Sequence, residues 1–390
     1  MVNGRLEGSI LTILLEGRID SSSSAQAEQK IMELVSGNSH EQTVLDALKL
    51  EYISSAGLRV ILRLRKAEPG LRIVNTSPEV YEIFDMTGFT EMMQIEKAYR
   101  CLSVDGCEAI GQGANGTVYR LDEETIVKVY RNPDSLSDIH RERALARTAF
   151  VLGIPTAIPY DVVKVGNSYG SVFELLNAKS FAELIAAAPE KLDAYIQLSV
   201  DVLKKIHGTG IAPDTVPQVK GIVLSWVEFL EGYLPQEQYQ KLYRLIDGIP
   251  DELHMLHGDY HIKNIMMQNG EVLLIDMDTL CTGHPIFEFA FMYLTYVGYS
   301  EDDPGDSMRF LGIPHETAVQ IWEKTISAYF ETEDTEKLSH IADRAMLIGY
   351  ARLLQRTLRR RAQETPDVRK RIASCEKHLT ELLERVDSIC

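Results

Sequence analysis

The stretch Leu256-His257-Gly258-Asp259-Tyr260-His261-Ile262-Lys263-Asn264-Ile265, followed by Val272-Leu273-Leu274-Ile275-Asp276-Met277-Asp278, decides how the rest of this chain is read. Asp259 and Asn264 stand five residues apart, and Asp276 ends an apolar, strand-like run where a carboxylate has little structural use. Each alone has an ordinary explanation: a turn Asp, a turn Asn, a strand-end Asp. Together they suit phosphoryl transfer, which asks a protein mainly for positioning and neutralisation of charge. In that chemistry Asp259 orients an acceptor hydroxyl and takes up its proton, while Asn264 and Asp276 offer oxygen ligands to Mg²⁺.

Two upstream features extend the set. Ile110-Gly111-Gln112-Gly113-Ala114-Asn115-Gly116-Thr117-Val118-Tyr119 places Gly111, Gly113 and Gly116 between strand-like runs. Glycines let backbone N–H groups approach phosphate oxygens without a Cβ in the way, although an ordinary hairpin turn looks the same. No helix follows Gly116, which argues against a dinucleotide-binding turn. Gly111 to Tyr130 reads as two strands around a turn. Lys128 lies within the apolar run Ile126 to Tyr130, 12 residues after Gly116. It is a candidate for the lysine that contacts nucleotide phosphates, with Glu142 as its partner. The alternative for Glu142 is a solvated helix face.

With these residues in order, residues 105–390 resemble the aminoglycoside phosphotransferase and choline kinase group. His257-Gly258-Asp259-Tyr260-His261-Ile262-Lys263-Asn264 matches that group's H-G-D-x-H-x-x-N. The resemblance implies an α+β, two-lobed protein-kinase-like domain, with an N-lobe of about 105–176 and a C-lobe of about 177–390, using ATP and Mg²⁺. His261 stands where protein kinases usually carry a lysine, which favours a small-molecule hydroxyl acceptor. Val172-Phe173-Glu174-Leu175-Leu176 resembles the hinge whose backbone meets adenine, so Glu174 joins the nucleotide-site candidates. His207 falls in a segment that resembles the support of the catalytic loop and is expected to be a core histidine. Gly283-His284-Pro285-Ile286-Phe287-Glu288 resembles the family's G-D-P-x-x-D. Glu288 would brace the catalytic loop through its backbone, with one more methylene of reach than Asp.

Residues 1–98 alternate strands and helices. Ile10 to Leu15, Thr43 to Leu48 and Leu71 to Asn75 read as strands, the first closed by Gly17. Ala25 to Val35, Ser55 to Lys66 and a segment opened by Ser77 and Pro78 read as helices. That alternation implies an α/β sheet with packed helices. Val44-Leu45-Asp46 through Ser54-Ser55-Ala56-Gly57-Leu58, with the later Asn75-Thr76-Ser77-Pro78 segment, resembles the STAS domain of anti-sigma-factor antagonists. The resemblance implies a phosphorylation switch at Ser55 and an anti-sigma-like protein partner. Ser54 occupies a position where that family often has Asp, and it is a second phosphosite candidate. Either serine could instead serve as a helix N-cap.

The chain has 390 residues and a net charge of −17, which disfavours nucleic-acid binding. No apolar run nears a membrane span, and five cysteines without a CxxC pair fit reduced thiols in a cytoplasmic protein. Arg352 to Arg371 is rich in Arg and Lys. It reads first as a solvated helix face, with an anion-binding surface as the other reading. Glu228, Glu231 and Asp251 are acidic residues that could meet an amine. Three functions compete: a small-molecule kinase regulated or docked through its N-terminal domain; a signalling kinase acting on Ser55 in cis or on a partner; and a nucleotide-binding scaffold.

Overall fold

The computed structural model describes residues 2–113, 115–360 and 365–389, which leaves residues 1, 114, 361–364 and 390, Arg361 and Cys390 among them, outside the described residues. The chain divides into two compact units, Met1–Ser103 and Val104–Cys390.

In the first unit, Val2–Glu7 runs antiparallel to Ile10–Ile19. Ile10–Ile19 pairs in parallel with Gln42–Ile53, which is followed across the sheet by Arg72–Thr76 and Ile95–Lys97, also parallel. Parallel neighbours need crossovers, and the helices Ser24–Gly37, Ser55–Ala67 and Pro78–Met86 supply them. Their apolar faces, with Ile31, Ile61, Leu64 and Phe84 fully buried, cover Leu11, Ile13 and Leu45 of the sheet. The first long strand does not close at Gly17. It continues to Ile19, with Gly17 at φ +76° beside a register shift. A bulge of this kind adds a residue without ending the strand.

The second unit begins with an antiparallel sheet that contains Pro159–Val165, Ser168–Glu174, Thr125–Tyr130, Gly116–Arg120 and Ala109–Gln112 in that order. Gly111 to Tyr130 is therefore three strands rather than two. The extra reversal is made by Asp122, whose carboxylate accepts the N–H groups of Glu124 and Thr125. The helix Leu136–Val151 follows. The remainder is mostly helical, built around Leu203, Phe287, Phe289 and Leu354. A small hairpin interrupts it: Ile265–Gln268 pairs with Glu271–Leu274 across Asn269-Gly270, both at positive φ, the residue pair that a two-residue hairpin turn favours. The first lobe is stitched to this hairpin. The Leu274 N–H donates to the Pro155 carbonyl at 2.7 Å, and Thr156 Oγ1 donates to the Leu274 carbonyl at 2.9 Å.

Candidate active site

The site forms where the Thr125–Tyr130 strand, the Leu136–Val151 helix and the loop after the small hairpin meet. Lys128 Nζ lies 2.7 Å from Glu142 Oε1 and 3.3 Å from Asp276 Oδ1. Glu142 is buried, so it does not belong to a solvated face. Its other oxygen accepts the Tyr130 hydroxyl. Tyr130 lies two residues from Lys128 on one strand, so the two share a face. Burial works against the Lys128 ammonium, but the Asp276 and Glu142 carboxylates outweigh it and hold the group above the usual lysine range. Burial, then the Glu142 charge, push the Tyr130 hydroxyl up as well.

Asp276 does not end the strand itself, which stops at Leu274. It sits two residues beyond, at φ +63°, a left-handed conformation that Asp tolerates better than most residues. This turn aims its carboxylate at Lys128. Asp278 lies one half-turn on, and its carboxyl is pushed up to about 7 by burial and by the charges of Asp276 and Glu142. Three carboxylates thus crowd around a single ammonium.

The loop bearing Asp259 is fixed from below. Glu288, fully buried, accepts the His257 N–H at 2.6 Å and the Gly258 N–H at 3.0 Å. Thr279 Oγ1 donates to the His257 carbonyl at 2.9 Å. Gly258 has φ +81°, and a Cβ there would lie 2.3 Å from the Thr279 carbonyl oxygen, so only glycine fits. Asn264 Nδ2 donates to the Asp259 carbonyl at 3.0 Å, which commits the amide nitrogen and leaves Oδ1 as an oxygen donor to the site. The Asn264 carbonyl accepts the Ile275 N–H at 3.0 Å, tying this loop to the approach to Asp276. His261 is buried with Nε2 3.5 Å from Asp259 Oδ2. Burial raises the Asp259 carboxyl, but His261 and His257 outweigh it and leave it below the usual range.

The glycines divide. Gly116 is needed by the sheet, since a Cβ would lie 2.1 Å from the Val129 carbonyl oxygen. Gly113 meets no such obstacle; its N–H donates to the Gly116 carbonyl at 2.9 Å and closes the turn. Gly111 has only ordinary contacts with Val118. Glu174 donates its N–H to the Ile158 carbonyl and accepts the Ile158 N–H on its carboxylate, so its side chain fastens the end of the sheet. His207 is a core histidine: its Nδ1 lies 2.9 Å from the Tyr329 hydroxyl, and its ring packs edge-on against Phe289. In the first unit Ser54 is the helix N-cap, accepting from the Gly57 N–H, and Ser55 is exposed on the first turn. Asp251 pairs with Lys220, and neither it nor Glu228 nor Glu231 lines the cavity beside Asp259.

That cavity, about 560 Å³, is walled by Phe291, the π-helical turn Leu294–Gly298, the helix Gly305–Leu311, and Arg352 and Arg356 from the helix Thr335–Arg360. The π turn also places the Tyr296 hydroxyl where it accepts the Ile262 N–H at 3.0 Å. Tyr130, Asp278 and Tyr296 were not among the residues expected from sequence. Tyr130 was visible as the same-face neighbour of Lys128, whereas nothing local marks Tyr296.

The Lys128–Glu142 pair facing Asp276, and the braced loop that sets Asp259 beside an open cavity, form an arrangement suited to phosphoryl transfer. Residues 106–312 match the model of the phosphotransferase enzyme family, and the chain belongs to that family. Residues 3–100 match the STAS domain model and form an N-terminal STAS domain. Over 95 residues the chain is 32% identical to BtrV of Bordetella bronchiseptica, named as a candidate anti-sigma factor antagonist; the match covers 23% of this chain and 80% of that protein. Among solved structures, a choline/ethanolamine kinase family protein from Mesorhizobium loti aligns with TM-score 0.47 and 14% identity, over 71% of this chain and 88% of that one. The ADP-bound aminoglycoside phosphotransferase APH(2'')-Ib aligns with TM-score 0.49 and 14% identity, over 77% and 98%.

Proposed function

We propose that this chain transfers the γ-phosphoryl group of ATP, in the presence of Mg²⁺, to a hydroxyl of a small molecule. The observation that carries this is the position of Asp259, held by a buried brace and opening on a cavity of about 560 Å³, a volume suited to a small ligand. Lys128, fixed by Glu142, would meet the α- and β-phosphates. Asp259 would accept the hydroxyl proton as the new O–P bond forms, and ADP would leave with the electrons of the broken bond.

Mg²⁺ favours oxygen ligands, one or two from protein and the rest from water and phosphate. Asn264 Oδ1 and the Asp276 carboxylate fit that demand, and the crowding that raises Asp278 is a negative excess that a dication relieves. Among the described residues no three His, Cys, Asp or Glu side chains form a metal cage, and a phosphate-bound Mg²⁺ needs none. When bound, the ion would neutralise charge building on the phosphate oxygens.

The Asp259→Asn variant tests the reading. It should lose at least a hundredfold in turnover, the scale of a general base, while Mg-ATP still raises the melting temperature. Full turnover would sink it.

The STAS domain supports docking of an anti-sigma-like protein. The Ser55 hydroxyl, exposed and without a hydrogen-bond partner among the described residues, favours a second reading in which a STAS serine is the acceptor. Mass spectrometry of residues 44–66 after incubation with ATP separates the two readings.

A further inference from the structure

We propose that the acceptor carries an anionic group, a carboxylate or a phosphate, gripped by Arg352 and Arg356 while its hydroxyl meets Asp259. The proposal rests on the phosphotransferase reading above and narrows its substrate class.

Four arginines line the cavity: Arg309, Arg352, Arg356 and Arg371. Two of them already have carboxylate partners. Arg309 binds Asp303 and Asp306, and Arg371 binds Asp302 and Asp306. Arg352 and Arg356 are different. They lie one turn apart on the same helix, both half-buried, and neither has a carboxylate partner among the described residues. Residues four apart on a helix are neighbours on its surface, so two guanidinium groups can bracket one anion.

Aromatic rings hold both side chains in place. The Arg352 guanidinium lies 4.4 Å from the Phe291 ring centroid and 5.0 Å from that of Trp226. Arg356 lies 5.5 Å from the Tyr299 ring and donates to the Tyr299 hydroxyl at 3.0 Å. A guanidinium held over a ring keeps N–H groups at its edge for a ligand, and Arg356 spends only one of its five on Tyr299. That edge matches carboxylate and phosphate oxygens in pairs. On a solvated helix face the charged heads would stand in bulk water with only their stems on apolar surface. Here the heads are part of the cavity wall. A cationic acceptor would meet two positive charges with, among the described lining residues, only Asp259 and the already paired Asp306 against them.

The test is thermal stabilisation of the full chain, with Mg-ADP present, by four compounds on one frame: glycerol, aminopropanediol, glycerate and glycerol phosphate. Glycerate or glycerol phosphate should raise the melting temperature, and glycerol and aminopropanediol should not. Whichever anion acts tells a carboxylate ligand from a phosphate ligand. Arg352→Gln and Arg356→Gln should each weaken the effective anion roughly tenfold or more, the size of one charge-assisted hydrogen bond. Arg352→Lys keeps the charge but loses the paired edge, and should fall between. A shift by aminopropanediol equal to or larger than that of the anions overturns the proposal, as does an anion shift unchanged in both glutamine variants, or no shift by either anion. The shift given by Mg-ATP alone reports the nucleotide corner separately, so its loss in the wild-type chain would count against the phosphotransferase reading instead.

Discussion

Removing the carboxylate of Glu288 should both destabilise the second unit and slow its chemistry. Glu288 is fully buried and accepts two backbone N–H groups, those of His257 and Gly258, at 2.6 and 3.0 Å. In Glu288→Ala both donors lose their acceptor. A buried donor left unsatisfied costs about 1–3 kcal/mol, so the pair should cost roughly 2–6 kcal/mol. In a unit of this size each kcal/mol lowers the melting temperature by roughly 2–4 °C, which sets a fall of at least about 4 °C. Glu288→Gln keeps an oxygen for one donor but turns an NH₂ group toward the other, and should lose about half as much. Glu288→Asp shortens the reach by one methylene and should lie between wild type and Gln if the length of the brace matters. Asp259 follows Gly258 directly, so displacement of the loop should appear in kcat, by up to about a hundredfold for a shift near 1 Å, with the KM for ATP little changed. Differential scanning fluorimetry and steady-state kinetics on the three variants measure both effects. If Glu288→Ala melted within about a degree of wild type and kept its kcat, the claim that this carboxylate holds the Asp259 loop would be wrong.

Lys128→Met should abolish Mg-ATP binding, and it should cost about 3 kcal/mol or more because Glu142 is left buried without its cation; isothermal titration and urea unfolding measure the two losses. Asp278 has a folded pKa of about 7 against an ordinary 3.8, so the folded state binds the extra proton between those values. Stability should therefore fall as pH rises from about 4 to about 7 and then level off, and Asp278→Asn should flatten that part of the melting-temperature profile. Mg²⁺ added with nucleotide near pH 6.5 should release a proton in wild type, and less in Asp278→Asn, when followed with a pH indicator. In the STAS domain, Ser54→Ala should cost about 1 kcal/mol through loss of the N-cap, while exposed Ser55→Ala should change stability by less than about 0.5 kcal/mol in chemical denaturation.

The parts legible in the sequence are those carried by local pattern. Asp259, Asn264 and Asp276 stood out because polar residues interrupt apolar runs at fixed spacing, and the structure brings them to one place. Glu288 was legible through its resemblance to a bracing acid, and the hydrogen bonds show what it braces. Gly116 was visible but for a different reason: its lack of a Cβ serves the close approach of Val129 on the next strand. The third strand between Gly111 and Tyr130 was hidden because its turn uses an Asp122 side chain rather than Gly or Pro. The cavity beside Asp259 was the least legible part. Its wall joins Phe291, Arg309 and Arg352 from three helices distant in sequence, and no local periodicity encodes that meeting. The run from Arg352 onward looked like surface because helical periodicity alone does not say what a face meets.

The stitch between Pro155, Thr156 and Leu274 gives the second unit a fulcrum. Its hydrogen bonds join the strand entering the Asp276 turn directly to the first lobe, so an opening of the lobes that kept these bonds would turn about this point. Parts near a fulcrum travel little and parts far from it sweep wide. Asp276, two residues past Leu274, would keep its place through such a swing. The carboxylate is thus on the short arm, where placement is reproducible.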